Sequence, residues 1–282
     1  MGTPFMRFLG PSKLEGFLHG APRDAQPPTI PVAFLDAMEV RENVFIKEQG
    51  VSAEHEFDAD DPRCCHWIAY ASVNKYETLE VRDEEGNVMM PRESSTETVP
   101  IGTIRLVPFP HEPHPVKNGK YFNGVLEGSE PDKKQNGNGH GNGHGNGDAP
   151  EVIPQKVFGI DRATTMHDGK EPYVKLGRLA VVKEFRGHRI ANLLVHTVLR
   201  WMKANPSFFD PSIKEIGLEQ LGASNDKEIP RWNGLVCVHA QKQVVFAWKK
   251  WGFEVDEEMG EWIEEDIPHV GMFQRLVIEK KD

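Results

Sequence analysis

The chain has 282 residues, a formal net charge of −10 and a pI near 5.7. A balance this acidic argues against nonspecific nucleic-acid binding, because the phosphate backbone demands a basic surface. There is no run of about 18 apolar residues to span a membrane, and the three cysteines, Cys64, Cys65 and Cys237, imply neither a disulfide framework nor a zinc site.

The length suits one large domain or two small ones, and the reading preferred is a single domain over 1–282 with its core at about 32–278. Residues 1–30 are rich in proline and glycine and are expected to be extended, with one short strand at most. Phe34 to Gln49 spaces its apolar residues as a helix does, and Gly50 is its stop. His66–Ser72 and Ile101–Val107 are expected strands. Between them the polar stretch Tyr76–Val99 is a loop or a projecting hairpin.

Asn136–Gly147 reads NGNGHGNGHGNG. Such a tract cannot bury enough apolar surface to offset its ordering entropy, so 128–150 is expected to be a disordered insertion. Its His140 and His144 invite a metal reading, but a flexible spacer is preferred and no metal is assigned.

Lys175–Val182 is an expected strand. Ile190–Ala204 is the clearest helix: Ile190, Leu193, Leu194, Thr197, Val198 and Trp201 share one face, and Asn205-Pro206 ends it. Gly234–His239 is a buried strand and Ala240–Trp251 a second helix, closed by Gly252. Phe253–Val255 and His269–Ile278 are late strands. The mixture predicts an α/β layered fold around a mixed sheet.

The chemistry concentrates where the Leu179–Val182 strand turns into the Ile190 helix. The first amides of a helix have no intrahelical partner and the dipole there is positive, so such a turn holds phosphate. Arg186, His188 and Arg189 add positive charge. A plain strand-to-helix turn with solvated basic residues fits these residues as well.

Arg186-Gly187-His188-Arg189-Ile190-Ala191 resembles the acetyl-CoA motif of the GNAT acetyltransferases, Arg/Gln-x-x-Gly-x-Gly/Ala, with Arg189 in place of the middle glycine. The arginine must point away from a diphosphate or reach round to pair with it. The resemblance extends to the ElaA and YjcF branch through Val44-Phe45-Ile46-Lys47-Glu48-Gln49, Phe57-Asp58-Ala59-Asp60-Asp61, His66, Ala240-Gln241, Gly252-Phe253 and Ile267-Pro268-His269-Val270-Gly271-Met272, all in the family's order.

The resemblance implies a sheet whose two central strands splay apart, flanked by helices. It implies acetyl-CoA as cosubstrate, held by Leu179, Ala180, Val181, Arg186, Gly187, His188, Arg189, Ile190, Ala191, Asn192, Gln241 and Trp248. Gln241 stands where relatives often carry asparagine. Trp248 stands where many carry a tyrosine acid, and indole cannot take that role. His239, Glu48 and His269 are the expected base candidates; each has a structural alternative, as core or capping histidine, surface ion pair or loop support. The carboxylates of Glu254–Asp266 could draw a cationic amine, although a solvated acidic face is the commoner meaning. Trp232, Trp248, Trp251 and Trp262 would line an acceptor pocket or, more often for such residues, the core.

The implied activity is direct transfer of acetyl to a primary amine in a ternary complex. A small acceptor such as an amino sugar or polyamine is expected, without nucleic acid or membrane as partner. A protein lysine or N-terminus, or a non-catalytic acyl-CoA sensor, are the alternatives. A cytoplasmic protein is expected, with the nucleus as the other option, and a homodimer is left open.

Overall fold

The computed structural model describes residues 4–78, 80–129, 160–210, 224–225 and 229–279. One mixed sheet organises them, in the order β1-β2-β5-β8-β9-β12-β11-β6-β7, with β10 also on β12. β1 (Phe5–Leu9) is the edge, antiparallel to β2 (Cys65–Thr78), which pairs with β5 (Glu93–Val107) as a long hairpin. The outer half of this hairpin projects and carries a small ribbon, β3 (Val81–Arg82) with β4 (Val88–Met90). The stretch 76–99 is therefore the projecting hairpin rather than the loop.

β8 (Val174–Val181) lies antiparallel to β5, and β9 (Leu235–Gln241) runs parallel to β8. β12 (Ile267–Arg275), β11 (Glu261–Glu264), β10 (Glu254–Val255), β6 (Lys120–Phe122) and β7 (Val125–Leu126) complete the sheet. Alternation along the strands makes two faces. On one, Trp67, Ile104, Leu106, Leu176 and Val238 pack against α3 (Ile190–Ala204). Ile190, Leu194, Val198 and Met202 form its buried stripe, each side chain contributing about 1.5–3 kcal/mol of gross burial energy. On the other face α1 (Val32–Arg41) covers Ile68 and Tyr70, and Tyr173, Cys237, Trp262 and Phe273 form a second cluster.

Three expectations need correction. The first helix leaves α geometry at Glu42 and runs on to Glu48 as a π-helix, ending at Gly50 with φ 76°. The helix expected at Ala240 starts late: Ala240 and Gln241 still pair with Val270 and His269, a 3₁₀ turn spans Lys242–Val244, and α4 covers only Val245–Lys250. Glu261–Glu264, read as part of an acidic run, is a strand whose Trp262 faces the core. The insertion at 128–150, with His140 and His144, lies outside the described residues except for 128–129. No helix among the described residues is long and apolar enough to cross a membrane.

Candidate active site

The site begins with a break in strand pairing. β8 and β9 pair at Val174–Val236, Lys175–Cys237 and Leu176–Val238, and there the pairing stops although both strands continue. At that point the β8–β5 register shifts: Thr103 faces Ala180 and Arg105 faces Gly177, so Arg178 and Leu179 share the place opposite Ile104. Arg178 occupies the left-handed region, φ 49°. This is a β-bulge, which adds a residue to one strand and bends it. The bulge reverses the alternation: Leu176 packs on the α3 side, Ala180 on the opposite side with Val40 and Val44. β8 therefore swings from β9 where it is bulged, and a cleft opens between Gly177–Val181 and His239–Gln241.

The edge facing the cleft follows from the register. Val182 N–H donates to Ile101 C=O at 3.0 Å, so Val181, opposite Gly102, is a non-hydrogen-bonded pair. Its N–H and C=O point away from β5 toward the gap. Arg186 Nε donates to that C=O at 3.0 Å, which leaves the N–H for a ligand.

Beyond Val181 comes a 3₁₀ turn, Lys183–Phe185, and then Arg186 to Arg189. Gly187 and Arg189 both have positive φ, 81° and 61°. Arg189 thus adopts the backbone conformation that glycine enters freely, and its side chain is exposed. Among the described residues no backbone carbonyl takes the N–H groups of Gly187 through Asn192; the first intrahelical bond is Leu193 N–H to Arg189 C=O, 3.0 Å. His188 Nδ1 turns back to Arg186 C=O, and Asn192 Oδ1 accepts from Trp251 Nε1. The turn presents a row of unpaired amides at the positive end of a fifteen-residue helix.

The end of the π-helix braces both lips of the cleft. Glu48 accepts a hydrogen bond from Arg186 at 2.8 Å, and Arg186 holds Val181 C=O. Gln49 Oε1 accepts from Gln241 Nε2 at 2.9 Å, on the β9 side. Glu48 is therefore a brace in this arrangement. Gln241 is likewise engaged, by Gln49 and by Gln243.

His239, Trp262 and His269 form one group on the α1 side of the sheet. The His239 ring meets Trp262 edge-on at 4.8 Å, and Trp262 stacks on His269 at 6.2 Å. His239 Nε2 is buried without a hydrogen-bond partner. Burial drives its pKa well below the usual imidazole range, with Lys175 and His269 adding to the effect, so it is neutral at pH 7. His269 Nδ1 lies 2.8 Å from Ile267 C=O. A carbonyl can only accept, so Nδ1 is the donor, and in the neutral ring the lone pair lies on Nε2.

Trp248 is 5% exposed and packs edge-on against Trp251 and Phe253 in the core. Its indole anchors α4 to the core. Trp232 and Trp262 are also buried. Several carboxylates of the acidic run already have partners. Asp256 is buried and accepts from Thr164, Thr165 and Met166; Glu261 pairs with Lys242, Glu265 with His55 and Asp266 with Lys120.

A feature that pattern reading missed lies beneath the cleft. Six side chains close a ring of alternating charge: Arg41 to Glu56 (2.6 Å), Glu56 to Arg178 (3.1 Å), Arg178 to Asp58 (3.2 Å), Asp58 to Arg105 (2.7 Å), Arg105 to Asp61 (2.9 Å) and Asp61 back to Arg41 (2.7 Å). Arg41 and Asp61 have no exposed side-chain surface. Burial alone would raise the Asp61 pKa; Arg41 and Arg105 outweigh it and hold it at about 2. Asp58, against Arg105 and Arg178, is likewise held well below its ordinary value despite burial. The Phe57–Asp61 segment supplies two of the three acids, which its sequence resemblance alone did not reveal.

No family model and no curated protein matches the chain. Among solved structures it is similar to a Lactobacillus plantarum protein described as an N-acetyltransferase, with a TM-score of 0.45 and 15% identity over 98% of this chain and all of that one. It is similar to Escherichia coli ElaA, at 0.38 and 13% over 97% of this chain and all of that one. It also matches Arabidopsis thaliana NAA60 in complex with acetyl-CoA, at 0.36 and 10% over 97% and 99%. Likenesses this distant carry no argument about activity. The strand order, the splay and the amide-rich turn stand on the chain's own geometry.

Proposed function

We propose that the chain is an acetyl-CoA-dependent N-acetyltransferase of the GNAT type, acting on a primary amine. One observation carries the reading. A parallel strand pair parts at a bulge, and the same strand runs directly into a turn of unpaired amides.

The residues present fit CoA. Gly187 to Asn192 offer backbone donors to a diphosphate at a helix N-terminus. Arg189 holds the left-handed backbone shape that glycine adopts freely, and its side chain is exposed. The open edges of β8 and β9 suit an extended arm carrying its own amides, which would pair as an added strand. The cosubstrate supplies an activated acyl group as a thioester.

The chain's own contribution is orientation, charge stabilisation and proton removal. Val181 N–H donates into the gap, where negative charge on a carbonyl oxygen would be stabilised. An attacking amine must lose a proton. His269, with its Nε2 lone pair fixed by the Nδ1 bond, is the base this arrangement favours, and neutral His239 lines the same wall. Glu48 braces the turn through Arg186. No group in Trp248 can donate a proton to a departing thiolate, which with an ordinary pKa of about 8.5 leaves with little help.

The acceptor is read as a small primary amine such as an amino sugar or polyamine, with a protein amine as the variant. Incubation with acetyl-CoA and a panel of primary amines, followed by mass spectrometry of the products, tests the reading. An N-acetylated amine is expected. Bound CoA with no product from any amine would favour an acyl-CoA sensor instead.

A further inference from the structure

Arg178 sits where a glycine would be expected. A non-glycine residue in the left-handed region is strained by its Cβ, and the position lies inside a strand. Its side chain gives the reason. It spans Glu56 at 3.1 Å and Asp58 at 3.2 Å, and both carboxylates are clamped from behind by arginines of other elements, Arg41 of α1 and Arg105 of β5. The ring therefore ties the bulged residue of β8 to the helix layer and to the neighbouring strand. The bulge in turn decides three things: where β8 leaves β9, which way the alternation runs beyond it, and where the Val181 N–H points.

We propose that Arg178 is a positioning residue, and that the six-membered charge ring it completes with Arg41, Glu56, Asp58, Asp61 and Arg105 fixes the bulge that opens the cleft and aims the Val181 amide. Arg178 acts through the backbone. The claim about turnover rests on the acetyl-transfer reading; the claim about the bulge does not.

The decisive variant is Arg178→Gly, because glycine accepts the left-handed backbone freely and removes only the ring contact. Asp58→Asn weakens the same link at nearly constant volume. Two readouts separate positioning from general stability. The first is amide hydrogen exchange over 177–182, with 194–202 of α3 as the internal reference. The second is kcat for acetyl transfer set against affinity for 3′-phosphoadenosine 5′-diphosphate, a fragment that binds the turn and does not reach the bulge.

The expected result for Arg178→Gly is faster exchange over 177–182 with α3 unchanged. With it comes a fall in kcat of about tenfold or more, the cost of misplacing a reacting group by a fraction of an ångström, while fragment affinity stays within about twofold of wild type. Asp58→Asn shifts both readouts the same way, by less. Wild-type exchange over 177–182 in both variants, with wild-type kcat, overturns the proposal. Should Arg178→Gly speed exchange in α3 as well, Asp58→Asn decides by the same readouts. Failure of the wild-type protein to bind the fragment or turn over acetyl-CoA would overturn the acetyl-transfer reading instead, and the exchange data would still judge the bulge.

Discussion

Glu48 and Gln49 are neighbours in the chain and hold opposite lips of the cleft: Glu48 reaches the β8 side through Arg186, and Gln49 reaches the end of β9 through Gln241. The π-helix makes this possible. Its wider turn ends the segment with both side chains directed at the sheet edge, where one lip lies on each side.

Glu48→Gln should therefore act on cosubstrate binding. The Glu48–Arg186 pair is partly exposed, so the variant loses under about 1 kcal/mol of stability. With Arg186 slackened, KM for acetyl-CoA should rise about fivefold, the equivalent of one hydrogen bond of roughly 1 kcal/mol. Steady-state kinetics by thiol release measure it. A collapse of kcat at unchanged KM would instead return Glu48 to the role of base.

His269→Gln tests the base. Its imidazole is held by Ile267 C=O with Nε2 directed elsewhere. Loss of a general base costs about 10²–10⁴ in rate, so kcat should fall within that range while KM for acetyl-CoA holds. His239→Gln in the same assay should give a smaller loss, since a neutral imidazole with depressed proton affinity contributes shape to the wall more than proton removal.

Arg105→Met cuts the charge ring at a fully enclosed point, leaving Asp58 and Asp61 short of their counter-charge. Removing one partner of a buried pair costs about 3–5 kcal/mol. Urea unfolding should show a midpoint lowered accordingly. A loss under about 1 kcal/mol would mean that water or backbone compensates, and the ring would then matter little for stability.

Acid should weaken the fold in two stages. Burial holds His66 at about pKa 4, and burial also holds His114 at about 4; His111 and His239 lie well below their ordinary value for the same reason. These imidazoles are neutral in the folded chain, while in the unfolded chain they take protons near pH 6.5. Between pH 6.5 and 4 the unfolded state binds more protons, so stability falls as pH drops; His66 alone accounts for about 3 kcal/mol. The second stage belongs to Asp58 and Asp61, whose depressed pKa values stabilise the fold above about pH 4, a contribution lost toward pH 2. Thermal unfolding from pH 8 to 3 should show the first decline beginning near 6.5. A flat profile down to pH 5 would contradict the buried neutral histidines.

Much of this was legible in the sequence. The apolar period of Ile190–Ala204 gave that helix to the residue, because a buried stripe on one side leaves an unambiguous pattern. The strand into Arg186-Gly187 was equally plain. The bulge was not: KLGRLAVV alternates well enough to pass for a regular strand, and only pairing with β5 shows that Arg178 is the extra residue. The charge ring was hidden for a related reason, since its members come from α1, the short helix Ala53–Glu56 and the segment after it, β5 and β8, and meet only after the sheet forms. The late helix failed because Ala240 and Gln241 are held by β12, a long-range pairing that outweighs local helix preference. The depth of Trp248 was not legible either: one turn before Gly252-Phe253 the sequence does not say how far an aromatic is buried, and the structure leaves it 5% exposed.

Titration of CoA into isotope-labelled protein, followed by amide chemical shifts, locates the cosubstrate on the chain. The amides of Gly187 to Asn192 and of Val181 should move together at one affinity, with the outer hairpin around Val88 unmoved. Saturable binding that shifts other amides and leaves these in place would contradict it.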